Sequence, residues 1–259
     1  MPCPNTLRCC PSLGPKGPLL LVVLLLWKLP AVAKEEDHVA VGIGSAALPR
    51  FQGSEDYRAE PVPLVDIKQW RFFAKTGDGI GLNLYEGRRV TVGASVSWMQ
   101  GYDEDDVPEG IGELDSELGG RVFISTELYG ITATVSGTQA LSEEERGLIA
   151  TARIAYPYQL TERFLIVSSI AANWGDEQYM NSYFGVDGTR AANSGLPLYE
   201  PSAGFKDVSL RLAFRYELSA DWGVGGAIEG SQLMNTAYDS PFVETKTQAR
   251  ALVGVTYRF

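Results

Sequence analysis

The chain closes on Gln248-Ala249-Arg250-Ala251-Leu252-Val253-Gly254-Val255-Thr256-Tyr257-Arg258-Phe259. Taken every second residue, one face is Ala251, Val253, Val255, Tyr257 and Phe259. The other is Arg250, Leu252, Gly254, Thr256 and Arg258. Successive side chains point to opposite sides of a pleated strand, so a period of two is a strand signature. One face is apolar and the other mostly small or charged, as in a strand between lipid and a polar lumen. The stretch ends on an aromatic residue, and Tyr257 with Phe259 resembles the signal read by the machinery that assembles barrels into the bacterial outer membrane. An edge strand of a soluble sandwich is the competing reading of this stretch alone.

The same alternation runs back through the chain. Val90, Val92, Ala94, Val96 and Trp98 alternate with Thr91, Gly93, Ser95 and Ser97. Val208, Leu210, Leu212, Phe214 and Tyr216 alternate with Ser209, Arg211, Arg215 and Glu217. Strands are also expected over 121–129, 131–140, 148–158, 164–174 and 222–228. Two short ones, 70–75 and 80–85, flank the turn Gly77-Asp78-Gly79, a hairpin signal. The connections alternate in size: short near Gly87, Gly130, Thr161 and Asp221, long near Asp105, Glu144, Ser182 and Asp239. Short turns at one end and long loops at the other is the outer-membrane arrangement, and a sandwich has no reason to keep it. The expected fold is all-β: a transmembrane, antiparallel, up-and-down β-barrel over residues 34–259. It has twelve strands, or ten if the short early hairpin lies outside the wall, with both termini on the periplasmic side. Aromatics beside the short turns (Tyr129, Tyr156, Tyr158, Phe164, Tyr216, Trp222) and the long loops (Trp98, Tyr102, Trp174) read as two interfacial girdles.

Residues 1–33 read as a cleaved signal peptide. Arg8 and Lys16 precede an apolar run ending at Trp27, and Ala31-Val32-Ala33 supplies an A-x-A cleavage site at Ala31 and Ala33. The run is short of the roughly 20 residues a membrane helix needs; a retained anchor is the alternative. Cys3, Cys9 and Cys10 all lie in this leader, so the mature chain has no disulfide, thiolate ligand or thiol nucleophile. Removing the three leader cations from 22 Lys and Arg, against 32 Asp and Glu, gives a mature net charge of −13. That excludes nucleic acid as a partner class, since phosphate binding needs a basic surface. A segment of such composition enters a membrane only as a closed barrel, which pairs every backbone group.

Phe51 to Arg58 followed by Pro61 to Asp66 resembles the opening motif of the MltA-interacting protein (MipA)/OmpV family, carried by Gly53, Ser54, Asp56, Tyr57, Pro61 and Pro63. Gly101 to Asp106 with Gly110 to Asp115, and Val255 to Phe259, fit the same family. The resemblance covers essentially all of the mature chain. It implies an outer-membrane barrel, in contact with lipid and lipopolysaccharide, that links the membrane to murein synthesis and hydrolysis. The implied partners are a lytic murein transglycosylase and a bifunctional penicillin-binding protein, besides the barrel-assembly machinery. It supplies no catalytic residue.

The residues themselves point to no enzyme. Barrel hydrolases need a histidine base, and the mature chain has one, His38, near its start and without a placed partner. No catalytic, cofactor-binding or metal residues are assigned. Asp103-Glu104-Asp105-Asp106 lacks the spacing of an EF-hand and reads as a solvated loop, with bridging through divalent cations to lipopolysaccharide left open. Arg121, Glu127, Arg153, Arg211, Arg215, Glu217, Glu229, Arg250 and Arg258 are expected to face inward. Their mixed signs either pair and close the lumen or line a pore. A narrow passive channel and an adhesin-like surface protein therefore stand as alternatives to the scaffold.

Overall fold

A computed structural model describes residues 37–141 and 146–259. The leader with Ala31 and Ala33, and the acidic run 142–145, lie outside the described residues. The strands are β1 (His38–Pro49), β2 (Tyr57–Gln69), β3 (Phe72–Lys75), β4 (Gly79–Glu86), β5 (Val90–Met99), β6 (Glu117–Leu128), β7 (Ile131–Ala140), β8 (Leu148–Thr161), β9 (Phe164–Gly175), β10 (Gly204–Glu217), β11 (Trp222–Leu233) and β12 (Thr247–Arg258). Each pairs antiparallel with its sequence neighbours, and β1 pairs with β12 to close the barrel. Closure leaves no edge along the seam, which lipid requires. The early hairpin belongs to the wall, so the count is twelve. β1 and β2 are 12 and 13 residues long, longer than their small and proline-rich sequences suggest.

The alternation becomes two surfaces. Ile43, Val122, Ile124, Ile154, Leu210, Ile228 and Val253 are exposed outward, as lipid-facing side chains must be. At the short-turn end an aromatic belt runs through edge-to-face contacts: Phe164 with Tyr216 at 6.0 Å, Trp222 with Tyr257 at 5.2 Å, Tyr257 with Phe259 at 4.9 Å. Rings with an apolar body and a wettable edge suit a membrane interface. At the other end Trp98 faces outward, but Tyr102 does not join a girdle; it is buried under the loops.

The long connections fold into a plug over that end. Among the described residues they carry three short α-helices, α1 (Glu177–Phe184), α2 (Gly188–Ser194) and α3 (Asn235–Tyr238). Asp176 and Asp187 cap the first two by accepting backbone N–H bonds, the usual remedy for unpaired first-turn amides. One apolar cluster joins Met180, Tyr183 and Phe184 to Met99 and Leu233 of the wall. Another gathers Phe51, Tyr102, Ile111, Val186 and Phe242 from separate loops. Burying these side chains, at roughly 1.5–3 kcal/mol each, is what orders otherwise irregular chain.

Candidate functional site: the lumen, its floor and its plug

The lumen divides into three levels. Near the short turns, inward side chains form ion pairs. Asp66 accepts from His38 Nε2 at 3.1 Å and has Lys75 at 3.8 Å and Arg215 at 4.0 Å. Lys68 reaches Glu86 at 2.5 Å, and Arg258 reaches Glu217 at 3.7 Å. His38 therefore does have a carboxylate partner, contrary to the sequence expectation. Sequence distance hid it: β1 and β2 pair in register, placing His38 beside Lys68 and Ala40 beside Asp66. A carboxylate shared with two further cations is an electrostatic hub, and its histidine sits at the turn end of the barrel.

Above this floor lies a cavity of about 1040 Å³. None of His38, Asp66, Lys68, Glu86, Arg215, Glu217 or Arg258 lines it. Eight basic side chains line it against four acidic ones, so a chain of net charge −10 has a cationic interior here. Asp78, at the tip of the β3–β4 hairpin, holds Arg121 at 3.3 Å and Arg153 at 3.8 Å. Arg211, Glu229 and Arg250 stand in one row across β10, β11 and β12. Among the described residues no carboxylate comes within 4.0 Å of Arg211 or Arg250. β1, β2 and β12 also give the same cavity an apolar strip: Ala46, Leu48, Val62 and Leu252.

The plug forms the roof, and the conspicuous loop motifs hold it together. Gly53 has φ +108°, and a Cβ there would lie 2.7 Å from Val243, so glycine is required twice over. Its carbonyl accepts from the N–H of Glu244 at 2.8 Å and of Thr245 at 2.9 Å. Ser54, fully buried, donates to Glu244 Oε2 at 3.3 Å and accepts from the Asp56 N–H at 3.1 Å. Asp56 carbonyl accepts from Arg50 N–H at 3.0 Å, and Tyr57 Oη accepts from Ala249 N–H at 3.1 Å. This motif is thus a latch between the first and last long loops. Pro61 and Pro63 lie on β2, pointing outward. The acidic loop is not wholly solvated either. Asp106 is buried against Arg50, at 3.2 Å, and Arg58. Two cations on β1–β2 decide this, and the loop's own composition could not reveal them. Burial pushes the phenols of Tyr102, Tyr179 and Tyr183 above the ordinary tyrosine value. Tyr183 donates to the carbonyl of Gln100 at 2.9 Å.

A closed twelve-stranded barrel with a lipid-facing apolar band, an aromatic belt, short turns and capping loops is an integral protein of the bacterial outer membrane. The sequence pattern of the family described as MltA-interacting protein MipA matches residues 41–259, and the chain belongs to that family. "Putative outer membrane protein YiaT" of Escherichia coli strain K12 is 19% identical over 244 residues, covering 92% of this chain and 98% of the relative. Among solved structures, an outer membrane channel from Pseudomonas putida F1 aligns with a TM-score of 0.44 at 12% identity, covering 88% of this chain and 97% of that one. The NanC porin aligns at 0.42 and 10% identity, covering 85% and 100%.

Proposed function

We propose that the barrel is a non-enzymatic docking platform that ties murein-processing enzymes, a lytic transglycosylase and a bifunctional penicillin-binding protein, to the outer membrane. The observation that carries this reading is the ion-paired floor. His38, Asp66, Lys75 and Arg215, with Lys68–Glu86 and Arg258–Glu217, crowd the periplasmic end of the lumen, which disfavours free passage of solutes. The family's description as MltA-interacting supplies the class of partner. Docking from this side uses the short turns near Gly87, Gly130, Thr161 and Asp221 and the acidic segment 34–37. Such small surfaces suit weak, transient contacts steered by charge. In the same reading, cleavage after Ala33 releases the mature chain, and Tyr257 with Phe259 directs its insertion.

The test pairs two measurements on the purified barrel. Capture of murein enzymes from envelope extract is expected, weakened by reversing Glu35, Glu36 and Asp37 while heat-modifiable migration persists. Stepwise conductance in planar bilayers together with undiminished capture by that variant would replace the platform with the narrow channel.

A further inference from the structure

We propose that the lumenal cavity binds a single-chain amphiphile with an anionic head, admitted sideways from the outer leaflet through a gap in the wall between β2 and β5. This goes beyond the docking role and does not rest on it.

The gap follows from strand lengths. β2 has 13 residues, but β3 has four and pairs only with Asp66–Gln69. The ladder between β4 and β5 ends at Ile80, opposite Val96 of β5. Above the turn at Thr76–Asp78, the upper part of β2 has no neighbour on that side, and neither do Ser97–Met99 of β5. At the sill the two backbones stand about three strand spacings apart, roughly 14 Å. That admits an acyl chain between side chains.

The edge is built to stay unpaired. Val65 turns its peptide groups toward the hairpin: its carbonyl accepts from Thr76 N–H at 2.9 Å, and its N–H donates to Thr76 Oγ1 at 2.8 Å. Peptide groups alternate sides along a strand, so Tyr57, Ala59, Pro61 and Pro63 turn theirs to this side, where at the sill the Pro63 carbonyl accepts from Thr76 Oγ1 at 3.0 Å. Two of these four are prolines with no N–H to leave unsatisfied in lipid. Both prolines belong to the motif that resembled the family's, and the latch does not use them. The lintel is also fixed, by Asp106 against Arg50 and Arg58.

Through the gap, outside and inside are one space. The cavity's lining includes the outward-facing Pro63, Ile80 and Trp98 as well as the inward-facing Arg121, Arg153 and Arg250. Trp98 is 66% exposed and Ile80 61%, so this mouth lies on the lipid surface. With the plug above and the ion-paired floor below, the side entrance favours a molecule already resident in the bilayer. Inside it meets apolar Leu48, Val62 and Leu252 on β1, β2 and β12, with Arg250 beside Leu252 on β12 and Arg211 two strands further on, on β10. An apolar strip flanked by guanidinium groups suits one chain and one anionic head, the head taking charge-assisted bonds from the guanidinium groups. The volume is at the upper end of the roughly 300–1,000 Å³ of small-molecule sites.

Binding of radiolabelled palmitate to the barrel in maltoside detergent tests the site, with unlabelled hexadecanol and palmitoyl lysophosphatidate as competitors. Saturable binding is expected, with hexadecanol at least about tenfold weaker than either anion; the tighter anion identifies a carboxylate or a phosphate head. The double variant Arg211→Gln/Arg250→Gln should lose about tenfold in affinity and keep heat-modifiable migration. Val62→Trp, filling the inner side of the gap, should slow uptake from phosphatidylcholine vesicles several-fold. Absent saturable binding, equal competition by the alcohol, or unchanged affinity in the double variant would overturn the site. Unaltered uptake by Val62→Trp would overturn the lateral route.

Discussion

Two arcs of one wall hold together by different means. From β5 round to β12 and on to β1, hairpins are nearly full height, and strands of 10 to 14 residues are zipped by long ladders. From β2 to β4 the hairpin is short, and β3 contributes a four-residue pairing on each side. There, side chains do what backbone does elsewhere. Lys68 of β2 reaches across β3 to Glu86 of β4 and also donates to Trp70 O at 2.6 Å. Asn83 donates to the same Glu86 oxygen at 2.7 Å. A barrel can omit part of its wall where buried charges bridge the shortened strands.

The sharpest test of this contrast is Lys68→Met. It takes the cation from a mostly buried carboxylate and should cost about 3 kcal/mol of unfolding free energy. Arg258→Met, in the complete arc, breaks a pair whose side chains are both about 40% exposed and should cost under about 1 kcal/mol. Equal losses in urea titrations of protein folded into lipid vesicles would erase the distinction. Next in size is Val122→Arg on the lipid face of β6, expected to cost about 2–4 kcal/mol near the bilayer midplane. The same titration reads it, and a loss below about 1 kcal/mol would mean that this face does not meet lipid. Gly53→Ala should strain the latch by about 1–3 kcal/mol and act on the plug alone. Faster protease cleavage within 176–203 with unchanged heat-modifiability is the expected pattern.

The smallest effect concerns pH and again separates plug from wall. Tyr179 and Tyr183 have phenols raised by burial, so the folded plug binds their protons more tightly than the unfolded chain does. Their stability contribution is complete below the unfolded phenol value, about 10, and is lost as pH rises beyond it. Absorbance at 295 nm should show these two ionising only as the plug opens, while the wall's circular dichroism holds. Ionisation at the ordinary tyrosine pH with the plug closed would contradict this.

The complete arc was legible in the sequence because lipid and lumen impose opposite demands on alternate residues. Val90 to Trp98 and Val208 to Tyr216 carry that demand with few exceptions, and the inward arginines followed from it. β1 and β2 were harder: Gly42, Gly44 and Ala46 face inward beneath Leu64 and Leu252 side chains, so hydropathy hardly alternates. The plug was not legible at all. Phe51, Tyr102, Ile111, Val186 and Phe242 meet from four loops, and no period connects them. For the cavity the signals were present but separate: a hairpin too short for a membrane and two prolines two residues apart. Only the register of β2 shows that both describe one gap.

The seam between β1 and β12 has a kinetic meaning. Ala40 lies opposite Arg258, and the amide of Phe259 donates to Val39 at 3.0 Å. These contacts join the first and last strands of the barrel, so their loop-closure entropy is the largest the fold must overcome, and they reward the chain last. Until they form, β1 and β12 are both unpaired edges, open to misassociation with other chains. The pairing of β12 with β1 therefore marks the moment at which an assembling sheet becomes a finished barrel, and the time spent before that moment is the time during which proteases and neighbouring chains compete for it.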